Sequence, residues 1–409
     1  MTTSPPVSAT HATALADFIN STCQSLEQPI PDNATLHSMM SGMMERAGSE
    51  MALSRLIETK RIHEVAEIRP FNLEMDLVNK CNLRCTMCMM SHESHLQQPL
   101  RRIPLDIFES LAHSVFWHVN AFSFTYGAEP LLHPDFARFL EIASAFRIPR
   151  IYAVTNGLLL TEQIARAAVK HSMNAIAVSI DAATKETYES IRIGGDWDRL
   201  MSNLKMLQRI KGESNSIWPR LELAFVMMRS NIRELPAFMD LAASLGAGAV
   251  NVIHMVPFAP LDTESESCSM VKETTNQMLR KAREKAKQHG IAIATPPLFG
   301  EVEQRNPGSE GVDRFGLPVS KATREAGHCP FPWHFVAIDM RGDVVPCGWW
   351  NGQKGMGNIF EAPFLSIWNS PQYRQLREQH RTRSLCQTCQ RCPAAGMGNV
   401  DSEQAFKAR

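Results

Sequence analysis

The stretch Leu73-Glu-Met-Asp-Leu-Val-Asn-Lys-Cys-Asn-Leu-Arg-Cys-Thr-Met-Cys88 decides how this chain is read. Leu73–Val78 is a short apolar run of strand length, and the loop that leaves it carries three cysteines spaced Cys81-x3-Cys85-x2-Cys88. Five further runs of the same kind follow, at Ala121–Tyr126, Arg150–Thr155, Ala175–Ile180, Leu221–Met227 and Ala249–Met255. Between and after them the apolar residues take helical spacing, near Leu105–Phe116, Asp135–Phe146, Thr161–His171, Trp197–Lys211, Ile232–Leu245 and Thr274–His289. Pro104, Pro134 and Thr161 stand where helices should begin, because proline fits the first helical turn and a threonine side chain caps it.

Six successive strand–helix units imply an α/β fold with a parallel sheet and crossover helices. A closed barrel of eight such units takes about 250 residues. Here the pattern runs only from Phe71 to Gly290, so a partial (β/α)6 TIM-like barrel is expected, with its chemistry at the carboxyl ends of the strands. Residues 1–70 read as an N-terminal helical extension, in which Met39, Met40, Met43 and Met44 have the spacing of core packing. Residues 291–326 are rich in proline, glycine and charge and read as a linker. A small cysteine-bearing domain follows over 327–409, with a hairpin of Phe335–Asp339 and Val344–Pro346 turned at Arg341-Gly342.

The 409 residues are 44% hydrophobic, 21% charged and 7% aromatic, which excludes disordered, collagen-like and coiled-coil classes. Lys plus Arg and Asp plus Glu both total 42, so no net field favours a nucleic acid or an acidic membrane surface as partner. Met1–Asn20 lacks Lys, Arg and any continuous apolar run, unlike a secretory signal. The most apolar stretch, Phe238–Leu261, is interrupted by Asp240, Ser244, Asn251, His254 and Pro257, unlike a membrane span. A cytoplasmic protein is expected. In that compartment ten cysteines point to metal ligation or catalysis rather than disulfides, and all but Cys23 and Cys268 fall into two groups.

Spacing alone leaves the first group open between two metals. Three thiolates from one loop can hold three corners of an iron–sulfur cube and leave one iron free, or they can bind zinc with His92 or His95 completing the set. The sequence also resembles the radical S-adenosylmethionine superfamily, on Cys81, Cys85 and Cys88 together with marks at successive strand ends. Gly127-Ala128-Glu129-Pro130 resembles that family's GGEP motif, Thr155-Asn156-Gly157 closes the third strand, and Ser179-Ile180-Asp181 closes the fourth. Arg192 follows thirteen residues past Ser179. The resemblance implies a 4Fe–4S cluster on Cys81, Cys85 and Cys88 whose open iron chelates S-adenosylmethionine. It implies that Glu129 receives the methionine amino group and Arg192 pairs with the carboxylate, with Met87, Gly127, Ala128, Asn156, Ser179 and Asp181 also at the cofactor. Met87 stands where the family usually has an aromatic residue, and Ala128 replaces the second glycine, so an altered fit around adenine and amine is expected.

The second group, Cys329, Cys347, Cys386, Cys389 and Cys392, resembles the SPASM/twitch extension that carries auxiliary iron–sulfur clusters. One auxiliary 4Fe–4S cluster on Cys329, Cys347, Cys386 and Cys389 is expected, with Cys392 as a further candidate, while a zinc ribbon is the alternative on spacing. Trp349 and Trp350 are expected to shield that site. The resemblance implies an oxidoreductase that cleaves S-adenosylmethionine to a 5′-deoxyadenosyl radical, abstracts a substrate hydrogen, and dehydrogenates or cross-links a small molecule or a peptide. It also implies a flavodoxin- or ferredoxin-type reductant. Tyr126 and His254 are candidate proton donors or acceptors, His133 a helix cap, and Cys268, in the loop after the sixth strand, a hydrogen donor if the reaction is instead epimerisation. An iron–sulfur electron carrier without enzymatic activity is the reading from another class, and it would release no 5′-deoxyadenosine.

Overall fold

The computed structural model describes residues 71–146, 148–255, 261, 263–300, 329, 331–350 and 354–390. The N-terminal extension over 1–70, the Met39–Met44 group, most of the linker, Cys23 and Cys392 lie outside the described residues.

The strands are β1 (Phe71–Met75), β2 (Val119–Ser123), β3 (Arg150–Thr155), β4 (Ala175–Ser179), β5 (Arg220–Met227), β6 (Ala249–His254), β7 (Ala292–Ala294), β8 (Phe335–Ile338) and β9 (Val344–Val345). They form one sheet in the order β9-β8-β1-β2-β3-β4-β5-β6-β7, parallel throughout except for the β8–β9 hairpin. The crossovers carry α1 (Leu105–Val115), α2 (Phe136–Ala145), α3 (Glu162–Lys170), α4 (Lys185–Ile191), α5 (Trp197–Glu213), α6 (Leu235–Ser244) and α7 (Lys272–His289). Thr161 caps α3 by accepting from the Ile164 N–H, and Thr184 and Asp196 cap α4 and α5 in the same way. Among the described residues no helix is long and apolar enough to cross a membrane.

The six expected strands are all present, and the sheet extends past them at both edges. Ala292–Ala294, at the start of the expected linker, pairs with β6 as a parallel strand. The hairpin of the cysteine-bearing domain joins the same sheet, with Asn72, Leu73, Glu74 and Met75 of β1 in register with Phe335, Val336, Ala337 and Ile338. Gly342 turns that hairpin at φ +82°, and a Cβ there would meet Asn358 and Phe360 at 2.7 Å, so only glycine fits without strain. Two C-terminal helices follow, α8 (Phe364–Trp368) and α9 (Pro371–Arg381), and α8 covers the start of β1; Phe71 stacks on Phe364 and Trp368 with ring centroids 5.3 and 5.2 Å apart.

The two faces of the sheet differ. The helix-facing residues, among them Phe122, Ile151, Ile176, Val178, Leu223, Phe225 and Val252, merge into one core. The opposite face carries Ala121, Tyr152, Val154 and Ala175 as a separate small cluster, and on β5 the burial alternates strictly, with Glu222, Ala224 and Val226 partly open. Parallel sheets covered on both sides read as continuous apolar runs. Here the alternation separates the helix-facing core from an inward face on which Ala121, Tyr152 and Ala175 form their own buried cluster.

Candidate active site

The loops at the carboxyl ends of the strands gather most of the expected residues. Cys81, Cys85 and Cys88 lie in one loop after β1, pinned by the Ser91 hydroxyl donating to the Cys85 carbonyl (2.8 Å) and by the antiparallel pairing of Arg84–Cys85 with Arg192–Ile193. Lys80 ties this loop to the following helical turn by donating to the His95 and Leu96 carbonyls, both at 2.7 Å. The sulfurs already have donors. The Leu83 N–H (3.4 Å) and Asn156 Nδ2 (3.8 Å) point at Cys81, and Arg192 Nη1 (3.7 Å) points at Cys85. Burial pushes the Cys81 thiol up to about 11 and the Cys85 thiol up to about 12, with the Arg192 charge opposing the rise at Cys85. A bound metal would supply the positive charge that buried thiolates require.

Glu129 is fully enclosed. Its carboxylate accepts from the Thr155 hydroxyl (2.6 Å), the Asn156 N–H (2.8 Å) and the Leu131 N–H (3.1 Å), which locks the Gly127–Pro130 loop onto the end of β3. Burial raises its carboxyl and these donors oppose the rise. Asn156 bridges further, from Nδ2 to Asn82 Oδ1 at 2.9 Å, so the Cys81 loop and the Glu129 loop form one unit.

Asp181 and Arg192, both expected at the cofactor, form a buried pair 2.6 Å apart. Asp181 also accepts from the Val226 N–H (2.8 Å), and Arg192 Nε donates to the Ile180 carbonyl (3.2 Å). Asp181 holds a left-handed backbone (φ +66°), a conformation Asp tolerates better than most residues, with its carbonyl fixed by Asn231 Nδ2 at 2.9 Å. Asp181 therefore acts on the site through Arg192, whose other amino nitrogen reaches Cys85. Ser179 ends β4, half-buried and opposite Ala224. Met87 packs with Ile191, Met228 and Met255, an apolar wall at the ends of β5 and β6, and Ala128 packs with Val78 and Met90 beside Cys81 and Cys88.

Asp76 escaped the sequence reading. One oxygen of this buried carboxylate, Oδ1, accepts from three consecutive backbone N–H groups, those of Tyr126 (2.9 Å), Gly127 (2.9 Å) and Ala128 (3.0 Å). It is the anchor of the loop that ends in Glu129. Burial raises its carboxyl against those three bonds, with Asp339 from the β8–β9 turn adding to the rise. The signal was an acid alternating with Leu73, Met75 and Leu77, on the opposite face of the first strand. Asp76→Asn keeps the shape and one acceptor but removes the charge from all three bonds. It is expected to cost about 1–3 kcal/mol of stability and to weaken S-adenosylmethionine binding, read by denaturant unfolding and calorimetric titration. An unchanged affinity would show that the loop keeps its form without the carboxylate.

The other candidates part company. Cys268 is expected at an open mouth, yet it is 2% exposed and packed in the core, its thiol pushed up to about 11 by burial, beneath the start of α7. His254 ends β6 with its ring on Phe299 (5.3 Å), and burial holds its pKa down. His133 caps the turn into α2: its Nδ1 accepts from the Asp135 N–H (3.1 Å), which leaves Nε2 to donate to the Ile103 carbonyl (3.1 Å). The ring of Tyr126 packs against Phe335, Ala337 and Val345 of the C-terminal hairpin, where Cys347 and Trp350 also pack.

In that C-terminal region Cys389 lies within electrostatic reach of Cys386, Cys347 and Cys329, and burial followed by these neighbours raises its thiol. The Cys389 sulfur stands 3.5 Å from His380 Nε2. Among the described residues no three Cys, His, Asp or Glu side chains converge as a single metal ion requires. A cube makes a different demand, since its thiolates bind at separate corners. Cys81 and Cys88 thus pack beside Ala128, and Cys347 shares a cluster with the ring of Tyr126, the residue before Gly127.

Comparison with known proteins bears on both halves. Residues 75–242 match the family model described as the radical SAM superfamily, and residues 329–393 match the SPASM model, an iron–sulfur cluster-binding domain. The chain is 25% identical over 327 residues to the AdoMet-dependent heme synthase of Methanosarcina barkeri, covering 78% of this chain and 88% of that one. It is 24% identical to the mycofactocin maturase MftC of Mycolicibacterium smegmatis, covering 78% and 75%. The solved structure of Streptococcus suis SuiB bound to S-adenosylmethionine shares the fold at a TM-score of 0.63 and 15% identity, over 94% of this chain and 84% of that one.

Proposed function

Because this chain belongs to the radical SAM superfamily and carries its SPASM domain, we propose that it cleaves S-adenosylmethionine reductively and oxidises a preformed small molecule or peptide. The oxidation is a dehydrogenation or a cross-link. When bound, the cluster and S-adenosylmethionine together supply a 5′-deoxyadenosyl radical, made with one electron from a flavodoxin- or ferredoxin-type reductant. The substrate then gives up two hydrogens. One would leave as a hydrogen atom and the other as a proton to solvent, and the electron left behind would need an acceptor, the chemistry that a cluster held by the C-terminal cysteines would supply.

The observation that carries this reading is the placement of Cys347. Pairing of β8 with β1 and of β9 with β8 sets Cys347 level with the start of β1, in one cluster with the Tyr126 ring, so the two proposed cluster sites stand toward opposite ends of β1 with Tyr126 between them. Each set has its residues. Cys81, Cys85 and Cys88 would hold the first cluster, and Cys329, Cys347, Cys386 and Cys389 the second, with Cys392 outside the described residues. Glu129 would orient the methionine amine through the loop Asp76 anchors, Arg192 would place positive charge at the Cys85 corner, and the Met87 wall would receive the adenine. The relatives' names, a heme synthase and a maturase, support late tailoring of a preformed precursor.

Dithionite-reduced enzyme should release 5′-deoxyadenosine and methionine, and with substrate a product lighter by two hydrogens. Cys347→Ala should keep 5′-deoxyadenosine release and lose the oxidised product. Equal product from Cys347→Ala would remove the second cluster from the reaction. A product of unchanged mass carrying solvent deuterium would mean epimerisation, for which the core position of Cys268 provides no reachable thiol.

A further inference from the structure

Two buried hydroxyls, one beside the C-terminal hairpin and one in α9, face no partner among the described residues. Among the described residues, neither the Tyr126 nor the Tyr373 hydroxyl has a hydrogen-bond partner, and the same holds for Arg377 Nη2. Native proteins rarely leave buried donors empty, because each costs about 1–3 kcal/mol. The remaining guanidinium nitrogens are committed, Nε to the Pro332 carbonyl (2.9 Å) and Nη1 to the Trp368 carbonyl (2.8 Å). Arg377 lies flat over Trp368 and Tyr373, 4.3 and 4.9 Å from their ring centroids, so its orientation is fixed by stacking. Tyr126 is held just as firmly, through its N–H on Asp76 and its ring in the Phe335–Val345 cluster that Cys347 also joins. Cys347 is within electrostatic reach of both hydroxyls. Rigid, buried, unpartnered donors around a group of thiols call for an anionic acceptor between them.

We propose that Tyr126 and Tyr373 donate hydrogen bonds to sulfur at the Cys347 corner of the C-terminal cluster, with the Arg377 charge behind Tyr373, and so raise that cluster's potential. Hydrogen bonds to sulfur and nearby positive charge favour the reduced, more negative cluster. That is the bias needed of a site that receives the substrate's electron, so the assignment rests on the oxidation reading above. Tyr126 also belongs to the loop that ends in Glu129, so its packed ring joins that loop to the Cys347 region.

The test is a redox titration of the reconstituted full-length enzyme, with each cluster followed by its own paramagnetic signal. Tyr126→Phe and Tyr373→Phe should each lower the C-terminal cluster's reduced-to-oxidised ratio at fixed poise by roughly tenfold, about 59 mV for one electron. The first cluster should not move. Unchanged C-terminal potentials in both variants at full iron content would overturn the assignment. A second readout needs no potential. In deuterated water the reduced wild-type cluster should show a strongly coupled exchangeable deuteron by electron–nuclear double resonance, weakened in each Phe variant. Its absence from wild type would also overturn the assignment. A chain that binds no second cluster would instead sink the oxidation reading, so the two failures are distinguishable.

Discussion

Cys85→Ala should abolish 5′-deoxyadenosine formation, to the level of protein with no cluster, while leaving the fold intact. Three thiolates hold three corners of a cube, and two cannot hold it open for a ligand at the fourth. Cys85 is the most buried of the three, and its sulfur is the one Arg192 reaches. The loop keeps its remaining anchors, the Arg84–Ile193 pairing and the Lys80 bonds, so circular dichroism and urea midpoint should change little. Cys268→Ala is the matched control: another buried thiol is removed and 5′-deoxyadenosine should persist. Undiminished release from Cys85→Ala would take the triplet out of the chemistry.

Arg192→Met should be the most damaging single change to stability away from the apolar core. It leaves Asp181, with no solvent exposure, as a buried carboxylate without its cation. Breaking such a pair typically costs about 3–5 kcal/mol. The carboxyl then takes up a proton, because burial already raises it and the Arg192 charge is the largest opposing influence. The sign follows. With the folded-state pKa raised above the unfolded value, the folded variant binds the proton more tightly, so its stability is greatest at acid pH and falls as pH rises. The double variant Arg192→Met with Asp181→Asn should recover part of the loss and flatten that pH dependence, without recovering 5′-deoxyadenosine formation. A single variant as stable as wild type across neutral pH would show that the pair is dispensable to the fold.

The barrel was legible because its local and tertiary signals agree. Arg150–Thr155 is a strand in sequence and structure alike, and Thr161 caps α3 as its side chain suggests. The strand at Ala292–Ala294 escaped notice because three residues before Pro296 carry no usable period, and only the β6 edge defines them. The β8–β9 hairpin was readable as a turn, but not its pairing with β1, because a partner some 260 residues distant leaves no local trace. In the site, the cysteines stood out by spacing, and Glu129 through the resemblance of Gly127–Pro130 to the GGEP motif. Asp76 did not, since one carboxylate in a strand carries no motif until the three N–H groups it holds are seen. Cys268 misled in the opposite direction: a cysteine in a loop after a strand suggests exposure, and packing beneath α7 buries it.

Iron and acid-labile sulfide per chain, after anaerobic reconstitution of wild type and of the Cys81/Cys85/Cys88→Ala triple variant, test the two-site account most directly. Roughly eight irons falling to about four would place one cube in each thiol set. About four falling to none would contradict it, leaving the Cys347 group without a cluster and the oxidation without its electron acceptor.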